Sequence, residues 1–172
     1  MTDESTIKPS ERSTAGDIVR EWWRSLRDER GARADLRRCR TTLEVHFVPK
    51  FQALAQRLPS EIRDDWKANR LAAVAAVMVH VEDDLGAGSF AEFLASPASG
   101  DRARLSDLRF RRLLACEDPD DLLTTFRRAV QVAGGEAPVS SLAGDLLRWN
   151  DRTRKRWAAD YYRRASVPAS TG

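Results

Sequence analysis

The sequence predicts an all-α protein of about eight helices arranged in two small bundles. Composition comes first: 24 Ala and 17 Leu stand against 3 Ile and 11 Val, a balance that favours helix over sheet. Spacing comes second, because apolar residues recur three and four apart along nearly the whole chain, the period of a helix with one buried face. The third observation is that no segment of useful length alternates apolar and polar residues, as a half-buried strand would.

Asp17 can cap a first helix whose inner face is Ile18, Trp22 and Leu26, widened by Val19 and Trp23; it runs to about Asp28 and is broken by Gly31. A second helix, about Ala32 to Leu43, turns Ala32, Leu36, Cys39 and Leu43 inward and sets Arg33, Arg37 and Arg40 on the neighbouring stripe. Val45 to Val48 leads into Pro49, which fits the first turn of a third helix carrying Phe51, Leu54, Ala55 and Leu58. Ser60 and Glu61 open a fourth, which becomes almost wholly apolar from Leu71 to Val81 and is expected to be the most buried segment. Gly86 to Arg104 is rich in Gly, Ser, Ala and Pro and reads as a linker, with Phe90, Phe93 and Leu94 marking a short docked turn inside it.

Ser106 opens a fifth helix, Asp107 to Cys116. Asp118-Pro119-Asp120 opens a sixth that ends at Gly134-Gly135, Ser140 to Trp149 is a seventh, and Asn150 or Asp151 caps an eighth that ends near Ala165. The expected organisation is a disordered tail at 1–16, an N-terminal bundle at 17–85, the linker at 86–104, a C-terminal bundle at 105–165 and a second disordered tail at 166–172.

Composition and motifs also narrow function. The longest apolar stretch, Leu71 to Val81, has eleven residues, where a membrane span needs about twenty. With a polar, acidic start and no signal-like segment, the expected location is cytoplasmic. Cys39 and Cys116 are expected as reduced, buried thiols, too few for a disulfide framework or a closed cysteine zinc site. No phosphate-binding Gly-rich loop, Gly-x-Ser-x-Gly or Cys-x-x-Cys is present.

The cluster most like a metal site is His80, Glu82, Asp83 and Asp84, with His46 as a distant second donor. It reads instead as the solvated end of a buried helix with an interior imidazole, so no metal, cofactor or catalytic residue is expected. A small metal-dependent enzyme remains the minority reading.

The chemistry that does recur is arginine. The 29 cations divide into 25 Arg and 4 Lys, and Arg is the bidentate cation suited to phosphate, although such usage also follows from a GC-rich genome. Arg33, Arg37 and Arg40, with Arg38 beside them, form a line on the second helix. Arg152, Arg156 and Arg163 share a face of the eighth, among Trp149, Trp157, Tyr161 and Tyr162. Aromatics at four-residue spacing are read first as a core edge, and stacking on bases is the second reading.

On the fifth helix Arg109 falls between Leu105 and Leu113 and reads as a buried structural arginine paired with a carboxylate. Arg111 and Arg112, with Arg127 and Arg128 on the sixth, are the stronger ligand candidates. Spacing alone leaves open whether these arginines bind an anion or line a solvated face.

Several motifs, taken in order, resemble a known family. Trp22-Trp23-x-x-Leu26, Arg30-Gly31-Ala32-Arg33-Ala34-x-Leu36-Arg37-Arg38 and Pro49-x-Phe51-x-x-Leu54 resemble the amino-terminal half of CasB proteins, the small subunit of the type I-E CRISPR surveillance complex, Cascade. Leu105-Ser106-x-x-Arg109-Phe110-x-Arg112-Leu113-Leu114, then Leu122 to Arg128 and Arg156-Trp157-Ala158-x-Asp160-Tyr161-Tyr162, resemble its second half.

The resemblance implies a non-catalytic, all-helical, sequence-independent nucleic-acid-binding subunit. Its partners would be crRNA, the target or displaced DNA strand and other Cascade subunits, with self-association inside the complex, and its task would be to stabilise the R-loop in antiviral defence. It places Arg33, Arg37 and Arg38 in an amino-terminal basic patch and Arg109, Arg112, Arg127 and Arg128 in a carboxy-terminal one. It assigns no contacts to the linker or to the acidic turn at 117–121. The competing reading is a helical adaptor whose arginine faces meet acidic protein partners without touching nucleic acid.

Overall fold

The computed structural model describes residues 14–59 and 65–167. These form ten α-helices, one 3-10 turn and two very short strands. Helix α1 (Thr14–Ser25) runs into the 3-10 turn Leu26–Asp28 and is followed by α2 (Arg30–Arg38), α3 (Thr42–His46) and α4 (Pro49–Arg57). Helix α5 (Asp65–Met78) leads to β1 (Asp83–Asp84) and α6 (Phe90–Ala95). The chain continues through α7 (Asp107–Leu114), α8 (Pro119–Val132), β2 (Glu136–Ala137), α9 (Val139–Leu147) and α10 (Asp151–Ala165).

Helix α5 is the axis of the molecule. Every residue from Arg70 to Met78 is buried, because α3, α8 and α9 pack around it; a helix apolar on all sides has to be enclosed in this way. Helix α1 lies along α9. Their approach requires a glycine, since a Cβ at Gly16 would stand 2.4 Å from the carbonyl oxygen of Ser140. Trp22 and Trp23 fix α1 from its other side by donating their indole N–H groups to the carbonyls of Lys50 and Val81, at 2.9 Å each.

A second layer is aromatic. Phe126, Trp149 and Trp157 meet edge to face, and Phe110 stacks on Tyr161 at 3.9 Å. The polar edges of these rings are satisfied: Trp149 donates to Cys116 O, Trp157 to Asp145 and Tyr161 to Leu105 O. One apolar core therefore draws on residues from both sides of the 86–104 segment, and α6, inside that segment, docks on α10.

Several expectations need correction. Thr14 to Gly16 belong to α1 rather than to a tail, and Ser166 closes α10 by donating its N–H to Tyr162 O at 3.1 Å. Gly31 lies in the first turn of α2 instead of breaking a helix. The second helix stops at Arg38, because Cys39 turns extended and Thr41 then caps the separate helix α3.

Residues 83–84 and 136–137 pair as parallel strands, which two-residue segments cannot announce by alternation. Asp84 locks this junction: its carboxylate accepts the N–H groups of Gly86 (2.9 Å) and Val139 (3.1 Å) and the Nε of Arg20 (2.6 Å). The start of the fourth helix expected at Ser60–Glu61, and residues 1–13 and 168–172 of the expected tails, lie outside the described residues.

Candidate nucleic-acid interface

Several of the candidate arginines are claimed by the protein itself. Arg111 pairs with Asp107 at 2.6 Å and Arg38 with Asp35 at 2.5 Å. Arg156 pairs with Asp145, and Arg163 with Glu92 and Asp160, so the face expected along Arg152, Arg156 and Arg163 is largely neutralised by carboxylates from α9 and α6. Arg152 alone of that set is exposed without a partner among the described residues.

On α2, Arg37 reaches the Val79 carbonyl (3.4 Å) and stands 3.7 Å from Glu82. Arg33 lines a cleft of about 390 Å³ together with Trp23, Arg27 and Glu82. Arg40 leaves the expected line, because the helix ends before it; its backbone N–H donates to Glu44.

Where α7 crosses α8 the situation is different. Ser106 caps α7 by accepting from Arg109 N, and the helix buries Phe110 and Leu113. Asp118 caps α8 by accepting from Asp120 N and Asp121 N, with Pro119 in its first turn. The two helices leave a groove of about 580 Å³ with Leu105, Leu113 and Ala129 in its lining and with Arg109, Arg112 and Arg128 converging on it. All three arginines are exposed, none has a protein partner among the described residues, and no carboxylate lines the groove. Like charges gathered in this way repel each other until an anion joins them.

Arg109 is thus exposed, contrary to the reading of it as a buried, paired arginine. Arg111, one of the favoured candidates, faces away into its pair with Asp107. That carboxylate is held below its ordinary pKa by the Tyr162 hydroxyl and by Arg111.

Arg127 stands apart from the groove. Its Nε and one terminal nitrogen are buried without a partner, and burial lowers its pKa. It acts electrostatically on Cys39 and, together with Arg37, on His80. Burial first, and then Arg127 and Arg37, depress the His80 pKa to about 4.

The aromatics expected mainly as core are core: Trp149, Trp157 and Tyr161 are 4% exposed or less, while Tyr162 donates its hydroxyl to Asp107. Both cysteines are free and buried. His46 faces Asn69 at 2.9 Å and Asp84 is engaged with Arg20. Among the described residues no group of three or more His, Cys, Asp or Glu could hold a metal ion, and no helix is long and apolar enough to cross a membrane.

Fold and groove together define an all-helical protein whose concentrated surface chemistry is unpaired guanidinium. The family model for the CRISPR-associated protein Cse2 matches residues 32–162, so the chain belongs to the Cse2 family, the CasB family that the motifs resemble. A chain in the crystal structure of E. coli Cascade bound to a PAM-containing dsDNA target superposes with a TM-score of 0.67 at 20% identity, over 87% of this chain and 94% of that one. No curated protein matches the sequence.

Proposed function

We propose that this chain is a non-catalytic subunit of a Cascade-type RNA-guided complex and that it holds nucleic acid by the phosphate backbone, stabilising the guide–target hybrid and the displaced strand. The observation that carries this reading is the convergence of Arg109, Arg112 and Arg128 on one groove without a carboxylate. Family membership and the likeness to a chain of a DNA-bound Cascade support it. A protein that follows a hybrid of any guide sequence gains nothing from reading base edges, and guanidiniums held on rigid helices can meet its phosphates without doing so. Arg33, in the cleft beside α1, and Arg37, one turn further along α2, form the second basic patch of this reading.

The adaptor reading has its own observation, the exposed pair Leu43 (62%) and Phe47 (73%) on and just after α3. In our reading this pair docks neighbouring subunits, including a second copy of the chain.

The test is a salt titration of single-stranded DNA binding with Arg109, Arg112 and Arg128 changed to Glu. Three lost phosphate contacts flatten the dependence of log K on log salt by about 2, and in the reconstituted complex they shorten the lifetime of the opened target. Unchanged slope and lifetime, with assembly verified, favour the adaptor.

A further inference from the structure

Trp66 and Arg70 stand one turn apart on α5, away from both the α7–α8 groove and the cleft beside α1. Four of the five tryptophans, Trp22, Trp23, Trp149 and Trp157, are 4% exposed or less, whereas Trp66 is 55% exposed. The guanidinium carbon of Arg70 lies 3.6 Å from the centre of the Trp66 ring. Arg70 is itself 6% exposed, its Nε is buried with no hydrogen-bond partner, and no carboxylate pairs with it among the described residues. A buried cation without an anion is costly, and an aromatic face compensates it only in part.

Both residues open onto a groove of about 520 Å³ that passes Trp149 and Asn150 to reach Arg152 and Arg154 at the start of α10. Two carboxylates also line it, Glu117 and Asp151, and each stands 3.4 Å from Arg154, which in addition donates to Leu114 O. Three guanidiniums therefore face two carboxylates that share a single partner. The groove keeps one net positive charge, and neither Arg70 nor Arg152 has a carboxylate partner among the described residues.

We infer that Trp66 and Arg70 form a stacking platform for an unpaired nucleobase, with Arg152 taking the adjoining phosphate. This rests on the nucleic-acid reading above and adds a contact to the bases of an unpaired strand, on a surface separate from the α7–α8 groove. A ring backed by a cation on one side offers its other side to the electron-rich face of a base. Stacking tolerates every base, as a guide of arbitrary sequence demands. An apolar protein side chain seated here would instead desolvate Arg70 and Arg152 further without supplying an anion.

The experiment follows tryptophan emission of the full chain while it is titrated with a short single-stranded DNA, or with the same strand carrying abasic sites at equal charge. With four tryptophans buried, quenching on binding reports Trp66. The intact strand is expected to quench and to bind about 5- to 150-fold more tightly than the abasic one. Trp66→Ala erases that difference and Trp66→Phe keeps part of it. Arg152→Gln lowers the salt slope by about 0.7 and leaves the base dependence in place. Far-UV circular dichroism and urea unfolding verify that each variant is folded.

Equal affinity for intact and abasic strands, or a base dependence that survives Trp66→Ala, overturns the inference while leaving the phosphate groove standing. Loss of Trp66→Ala from the assembled complex with unchanged strand binding overturns it in favour of a protein interface. Absence of any nucleic-acid binding by the native chain defeats both readings.

Discussion

Acidification provides a direct test of how the core treats His80. Its pKa in the folded chain is depressed from 6.5 to about 4, first by burial and then by Arg127 and Arg37, and its Nε2 is buried without a partner. Between those two values the unfolded chain takes up a proton that the folded chain refuses. Stability is therefore fully present above about pH 6.5 and falls as pH drops toward 4, with a slope of at most about 1.4 kcal/mol per pH unit. The loss amounts to about 2 kcal/mol at pH 5 and about 3 kcal/mol at pH 4, a large share of a small domain's stability.

Urea unfolding followed by circular dichroism at half-unit intervals from pH 7.5 to 4.5 measures it. The comparison is with His80→Leu, which keeps an apolar side chain at the site and cannot titrate. The variant's stability should be flat where the native chain's declines, so the two curves diverge below pH 6.5. Parallel curves would show that His80 is not kept neutral by its surroundings and would refute the reasoning.

Asp84→Ala leaves the Gly86 and Val139 N–H groups and the Arg20 guanidinium without their common acceptor; a loss of about 3 kcal/mol in urea unfolding is expected. The Asp84 carboxyl is held below the ordinary carboxylate range by these same donors, against the opposing effect of burial. Its contribution is accordingly present above the usual carboxylate pKa and is lost at still lower pH, below the window in which His80 acts. Gly16→Ala should cost about 1–3 kcal/mol, because its new methyl meets the Ser140 carbonyl. Gly31→Ala should gain up to about 1 kcal/mol, because it sits in α2 with nothing within 4 Å of the added carbon; thermal unfolding of the pair separates packing from propensity.

Much of the helical frame was legible because its signals are local. Ser106, Asp118-Pro119 and Asn150 announce their helices through caps that involve only neighbouring residues. The apolar run from Leu71 announces its own burial, although the helix stops at Met78 and leaves the last three residues to a turn. The Arg33–Arg37–Arg40 line failed for a reason that is also local but weaker: nothing in helical spacing signals that Cys39 turns extended.

By itself the sequence determined an all-α architecture, the order of its helices, the family through motif order, and an excess of arginine. Only the tertiary structure decided which arginines are free. Helical periodicity places a side chain relative to its own axis and says nothing about which carboxylate another helix brings within 4 Å. Arg163 is neutralised by Glu92, 71 residues away, and Arg156 by Asp145 from α9. Arg109 and Arg128, on helices that cross, are left to face one open groove. Spacing carries no sign of Trp66 for the same reason, since its exposure, and the burial of Arg70 behind it, are set by how α5 is enclosed by the rest of the chain.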